Sequence, residues 1–255
     1  MTSSVLNWLS LTVEEFARWG WQQRIGWPDP LSSSAVGQFE LPLEEILGET
    51  PSPVTQRSRG EERLLESVAD VLWRPAYSAF AIRGEAGRGE TYSVAVVGAE
   101  EAILLVVTAD QVRISRVEPT AIAESLVAQL PKVLAAPTIR MEVAAQTASL
   151  LAGGFERNAP QRTLRSAMSS AGIPDVVANR LLAPESAVLA TGTLAAMSYE
   201  TDPPRLGTRS ASWTEMADGG MVSSLGRGGE VIWEPMSPAV MIRVVADTMA
   251  SLGSR

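Results

Sequence analysis

The chain has 255 residues, 45% apolar and 20% charged, and a formal net charge of −8. That balance is ordinary for a globular protein and excludes a disordered or fibrous class, while the acidic surplus argues against nucleic acid or an anionic membrane as partner. Cysteine and histidine are both absent, which removes disulfides, thiolate chemistry, Ser-His-Asp and Cys-His arrangements and the commonest transition-metal ligand.

The first residues carry no basic segment ahead of Leu6 to Leu9 and are soon interrupted by Glu14 and Glu15, so they do not read as a signal peptide. Thr12-Val13-Glu14-Glu15 is a capping-box pattern that opens a helix to about Arg24, with Phe16 and Trp19 one turn apart and Trp27-Pro28-Asp29-Pro30 as the stop. Residues 31–60 read as a long connection with a turn or two of helix around Leu41 to Leu47. Gly60-Glu61-Glu62 opens a second helix, its acids at the positive end and Leu64, Leu65, Val68 and Leu72 on one face. Four strands follow at residues 77–83, 91–97, 102–108 and 112–117, joined by hairpin-sized links that require antiparallel neighbours. The most apolar of these stretches, 94–107, is broken by Gly98, Glu100 and Glu101 and falls short of a membrane span. Pro119 then fits the first position of a helix carrying Ile122, Leu126 and Leu130.

Residues 132–143 read as a linker ending in a possible strand. Residues 144–182 are helical in character, punctuated by Gly153-Gly154, Pro160 and Pro174 into three short helices. A second set of strands is expected at 186–191, 194–198, 210–216, 221–225 and 230–234, and Ser237-Pro238 starts a last helix through Met241, Val245 and Met249. Val68-Ala69-Asp70-Val71-Leu72-Trp73-Arg74-Pro75 has a counterpart in Val177-Ala178-Asn179-Arg180-Leu181-Leu182-Ala183-Pro184, and each half closes on a Glu-Pro, Glu118-Pro119 and Glu234-Pro235, and a short amphipathic helix. The pattern predicts one duplicated unit, its halves packed face to face or edge to edge. The expected fold is α+β: two quasi-twofold-related halves of antiparallel strands flanked by helices, with a helical subdomain. The expected organisation is one domain, with a first half at 1–131, a linker at 132–143 and a second half with the helical subdomain at 144–255.

No catalytic, metal-binding or cofactor-binding set emerges. Gly84-Glu85-Ala86-Gly87-Arg88-Gly89-Glu90-Thr91 has the glycines of a phosphate loop, but no lysine precedes Thr91 and strands flank it, so it reads as a hairpin. The pairs Glu14-Glu15, Glu44-Glu45, Glu61-Glu62 and Glu100-Glu101 fall at helix starts or turns, where capping and solvation account for them. A hydrolase using paired carboxylates therefore ranks below a noncatalytic ligand-binding or scaffold module. The seven tryptophans read mainly as core anchors, with one left exposed for a partner. Lys132 is the only lysine among 21 basic residues, a bias that points to a GC-rich genome.

In order and content, Leu11-Thr12-Val13-Glu14-Glu15-Phe16, the junction Leu72-Trp73-Arg74-Pro75, the hairpin from Val94-Ala95-Val96-Val97-Gly98 to Ala102-Ile103-Leu104-Leu105-Val106, the closing Leu126-Val127-Ala128-Gln129-Leu130-Pro131 and the link through Ala136-Pro137 to Arg140-Met141-Glu142-Val143 resemble the EspG family. These are cytosolic chaperones of actinobacterial type VII (ESX) secretion. The second half is similar in plan, although Asp218-Gly219-Gly220-Met221-Val222 stands where the family usually has a hairpin containing Gly-Arg-Tyr. The resemblance implies a cytoplasmic protein without cofactor that covers the hydrophobic tip of the PPE subunit in a PE–PPE heterodimer. The partner surface is expected at Arg83, Glu85, Gly87, Arg88, Gly89 and Glu90, whose glycines and mixed charge suit an adaptable rim. Leu150, Leu151 and Phe155, around a helix break at Gly153-Gly154, are expected to form its apolar anchor.

Overall fold

The computed structural model describes residues 8–33, 57–85, 87–138 and 140–253, and its centre is one pair of strands. β2 (Tyr77–Glu85) lies antiparallel to β7 (Val188–Ser198), in register from Tyr77 opposite Ser198 to Glu85 opposite Ala190. From β2 the sheet continues outward through β3 (Gly89–Val97), β4 (Ala102–Val107) and β5 (Gln111–Val117) to an edge strand, β1 (Leu9–Thr12). From β7 it continues through β9 (Ala211–Met216), β10 (Gly219–Leu225) and β11 (Val231–Pro235) to the other edge, β6 (Met141–Val143). The two-residue β8 (Arg205–Leu206) pairs with β7 outside this path. Each half is thus a four-stranded meander finished by an edge strand drawn from earlier in the chain. The halves meet edge to edge, and every ladder between named strands is antiparallel, as the short connections required.

Seven helices flank the sheet among the described residues. α1 (Val13–Gln23) is closed by the expected box: the Glu15 N–H donates to Thr12 Oγ1 at 3.0 Å and the Thr12 N–H donates to Glu15 Oε2 at 2.7 Å. It stops before the Trp27-Pro28 signal, because Arg24 turns into the left-handed region at φ 58° and returns its N–H to the Gly20 and Trp21 carbonyls. α2 (Arg59–Trp73) starts with the same device, built from Ser58 and Glu61. α3 (Ile122–Val127) follows a 3-10 turn at Pro119–Ala121, and α7 (Pro238–Ala250) is capped by Ser237. Between β6 and β7 in the chain come α4 (Ala145–Glu156), α5 (Gln161–Ser170) and α6 (Asp175–Leu181).

One face of the sheet, carrying Ala95, Leu104, Leu194, Trp213 and Val222, packs beneath α3 and α7 through Leu126, Met241 and Val245. The opposite face has two separate covers. Phe16, Leu65 and Val68 from α1 and α2 sit on Val94, Val96, Leu105 and Ile114; Leu151, Met168 and Val177 from α4, α5 and α6 sit on Met221 and Trp233. Coverage on both sides explains why β4 and the Val94–Val97 end of β3 are apolar and buried on both faces.

Two expectations are corrected. The runs at 186–191 and 194–198 are one strand, β7, because Gly192 continues the ladder: it sits opposite Trp213, whose ring occupies the space of a side chain. A Cβ built on Gly192 would lie 2.0 Å from Trp213 Cζ2. Nor does the helix break at Gly153-Gly154: α4 runs through both, and a Cβ on Gly154 would meet Leu164 Cδ2 of α5 at 2.7 Å. The glycine permits two helices to approach closely, a gain that outweighs its weak helix propensity of about 1 kcal/mol. The Leu41 to Leu47 turns lie outside the described residues.

Gly192→Ala is expected to destabilise the protein by about 2 kcal/mol through overpacking against Trp213, lowering Tm by roughly 4–8 °C for a chain of this size. A thermal melt equal to that of the wild type contradicts this packing.

Candidate partner-binding surface

At the seam between the halves, Arg83 of β2 is opposite Gly192 of β7, and Gly192 is opposite Trp213 of β9. The three share the face beneath α3 and α7, since directly paired residues point the same way. With no side chain at Gly192, the Arg83 guanidinium spans β7 and donates from Nε and Nη2 to the two oxygens of Glu215 at 2.8 and 2.7 Å, while Trp213 Nε1 donates to Glu215 Oε1 at 3.0 Å. The Glu215 side chain is 5% exposed and that of Arg83 14%. A carboxylate buried so deeply is tolerable because a planar fork and an indole N–H satisfy it. Arg83 also donates to Glu85; that hydrogen bond and the charge behind it hold the Glu85 carboxyl below the usual carboxylate range. Glu215, and then Glu85, raise the Arg83 pKa in turn. Arg83 is therefore a tie between the halves, its guanidinium largely buried against Glu215.

The rest of the hairpin is available. Gly87, Arg88, Gly89 and Glu90 are exposed at its tip, with Gly87 at φ 76° and Gly89 at φ 82°, conformations that glycine adopts without strain. Glu85 also pairs with Arg88 at 3.4 Å, and Tyr92 donates to Glu90.

Adjoining the tip, on the face opposite Arg83, the register aligns Gly84, Thr191 and Thr214 in one row and Ile82, Thr193 and Ser212 in the next. Tyr92 and Trp233 at the ends of the second row are buried under the two helical covers, but Thr191, Thr193 and Ser212 in the middle are exposed. Leu189, just before them on β7, is 55% exposed. The sheet thus leaves an open strip of small hydroxyl side chains on β7 and β9, flanked by Gly84 and Ile82 of β2 and bounded by the hairpin tip and Leu189. No motif marks these residues. Their signal is alternation: β7 sets exposed Thr191 and Thr193 between buried Ala190, Gly192 and Leu194, and β9 sets exposed Ser212 between buried Ala211 and Trp213.

The expected anchor in α4 is divided. Leu151 is buried in the core of the helical subdomain, whereas Leu150 is 67% exposed and Phe155 39%. Five residues apart on an α-helix, Leu150 and Phe155 project about 140° from one another, so they do not form one patch. Of the tryptophans, Trp73 and Trp21 are exposed at 70% and 49%, while Trp19, Trp213 and Trp233 are core.

The acidic pairs serve the fold: Glu15 and Glu61 complete helix caps, and Glu101 accepts from Ser67 and faces Arg116 at 3.8 Å. Glu44-Glu45 lies outside the described residues. Among the described residues no group of three or more metal-ligating side chains converges, and no helix is long and apolar enough to cross a membrane.

The model of the EspG family matches residues 55–247. No curated protein matches the chain by sequence. Among solved structures, the chain is similar to the Mycobacterium tuberculosis type VII secretion system chaperone EspG5, determined in complex with the PE25-PPE41 dimer, at 12% identity, a TM-score of 0.72 and 96% coverage of each chain. At that identity the likeness is one of fold.

Arg83→Leu is expected to cost about 3 kcal/mol in denaturant unfolding, because it leaves Glu215 buried and unpaired. Adding Glu215→Gln, which removes the stranded charge, should recover part of that loss. Strictly additive losses contradict the pairing.

Proposed function

Because the chain belongs to the EspG family, we propose that it is a noncatalytic cytoplasmic chaperone of type VII secretion that binds a PE–PPE heterodimer, or an analogous helical substrate, and keeps it soluble for export. The single observation that carries this reading at the level of residues is the open strip at Thr191, Thr193 and Ser212 beside the hairpin tip. The tip of a helical bundle presents helix ends whose backbone N–H and C=O groups lack partners. Hydroxyl side chains supply both donors and acceptors to such groups, and their small size lets a blunt helix end come close to the sheet. Leu189 adds apolar contact, and Arg88 with Glu90 forms a polar rim. Covering the apolar end of a PPE-type subunit would hide the patch through which it otherwise aggregates.

On this reading the chain works as one unit, with a first half at 1–131, a linker at 132–143 and a second half with its helical subdomain at 144–255. The subdomain is held to the sheet by Arg180 of α6, which donates to Asp218 and, at 2.6 Å, to the Gly219 carbonyl. The linker backbone crosses the same turn: the Ala136 N–H donates to the Gly220 carbonyl at 2.9 Å and the Gly220 N–H to the Leu134 carbonyl at 2.7 Å. Gly219, at φ 125°, leaves no room for a side chain there, since a Cβ would lie 2.7 Å from the Ala135 backbone. Asp218-Gly219 thus anchors the fold in this chain. Leu150 and Phe155 remain proposed partner contacts, on different sides of α4.

Thr193→Arg and Leu189→Arg, each on an exposed position, should weaken binding to a cognate PE–PPE heterodimer by about tenfold or more, as central interface changes do. The melt of the free protein should stay unchanged. Full affinity in both variants contradicts the placement of the surface.

A further inference from the structure

On the sheet face opposite the hydroxyl strip, a cavity of about 250 Å³ opens between α7 and the ends of β9, β10 and β11. Four arginines line it, Arg140, Arg209, Arg227 and Arg243, against two acids, Glu230 and Asp247. In a chain of net charge −8, this is a local excess of positive charge. Two of the four are already used: Arg243 pairs with Glu234 and, at 3.4 Å, with Asp247, and Arg140 approaches Glu234 at 3.5 Å and Glu142 at 3.7 Å. The others are not. Among the described residues, neither guanidinium of Arg209 and Arg227 has an ion-pair or hydrogen-bond partner, and neither do the hydroxyls of Ser210 and Ser224 on the same wall.

The cavity therefore holds more unused donors than acceptors, Glu230 being the one carboxylate of its lining left without a cation among the described residues. Arg209 is only half-exposed, and a partly desolvated guanidinium gains most from a bound oxyanion that accepts in a bidentate fashion. Size and donor count narrow the class. The volume lies below the roughly 300–1,000 Å³ of sites for drug-sized ligands, which selects a compact group over a whole nucleotide. The Glu230 carboxylate on the wall, also without a cation partner among the described residues, offsets one of the two guanidinia, so the donor count decides: two guanidinia and two hydroxyls exceed what the two oxygens of a carboxylate accept and suit the three acceptor oxygens of a phosphoryl group.

We propose that this cavity is a phosphoryl-binding site, with Arg209 and Arg227 as the charged clamp and Ser210 and Ser224 as added donors. The same chemistry is offered by free inorganic phosphate or by a phosphorylated Ser or Thr of a protein partner. Because the cavity lies under α7, on the far side of the sheet from the proposed substrate surface, occupancy of one leaves the other open. The assignment does not depend on the chaperone reading.

The test is isothermal titration of the full chain at low ionic strength with inorganic phosphate and, separately, with a phosphothreonine peptide and its unphosphorylated twin. Saturable binding of either phosphoryl probe is expected. It should weaken about tenfold or more in Arg209→Gln or Arg227→Gln, as loss of a hydrogen bond to a charged group implies, and weaken as the pH falls below about 6, where the second phosphate proton returns. Binding of phosphate marks the free ion as a ligand, and binding of the phosphopeptide alone marks a protein-borne group. No saturable binding of either, or binding that both substitutions leave intact, overturns the proposal. Since Arg227 is exposed on a turn and neither guanidinium is tied into the fold, both variants should melt as the wild type does.

Discussion

The pairing of β2 with β7 is the constraint on which the rest of the molecule depends. Nine residues of each strand are held in register, and every other strand of the main path takes its place outward from that pair. Such a central, non-local pairing closes a loop of about a hundred residues, an entropic cost that grows slowly with loop length but is still a cost. Three side-chain features concentrate at it. Gly192 lets the Trp213 ring lie across β7, Trp213 steadies Glu215, and Glu215 takes the fork of Arg83 from the other half. A register slip of one residue would send Arg83 to the opposite face and strand Glu215 in the core. The polar contact therefore fixes how the halves meet, while the apolar cores on either side supply most of the stability.

The same seam explains where the molecule leaves itself open. α3 and α7 cover the centre of one face because they pack on each other and on the middle of the sheet. On the other face the helices precede each meander, and the edge strands draw them outward, so α1 and α2 settle over one flank and α4, α5 and α6 over the other. The middle is left bare, and the chain has placed threonine and serine there instead of leucine or valine. A bare apolar strip at that position would be an aggregation hazard for the free protein, whereas hydroxyls keep it wettable and still able to bond.

Much of this was legible in the sequence, for local reasons. The capping box at Thr12, the proline-led helix at Ser237 and the hairpins at Gly87 and Gly98 are set by neighbours a few residues apart, and each folds as its pattern predicts. The misreadings share a different cause: tertiary contact overrode a local signal. Gly192 reads as a strand break until Trp213 is placed on it, and Gly153-Gly154 as a helix break until Leu164 is placed against Gly154. The tie through Arg83 is likewise invisible until Glu215, more than a hundred residues later, is brought to it. The hydroxyl strip carried only the faint mark of alternation in β7, because whether a face is bare depends on where distant helices come to rest. The family resemblance, carried by the order of segments more than by any motif, was sound for the fold and gave no residue of the surface.

Hydrogen–deuterium exchange on the free chain and on its complex with a cognate PE–PPE heterodimer addresses the central claim most directly, that the seam both joins the halves and presents the partner surface. In the free protein the amides of β2 and β7 should exchange among the slowest, as the centre of a cooperative sheet does. On complex formation, new protection should concentrate at the hairpin tip around residues 85–90 and the adjoining 188–193 and 212–214. Protection confined to α3, α7 or the outer strands, with those segments unchanged, would place the partner elsewhere and contradict the account.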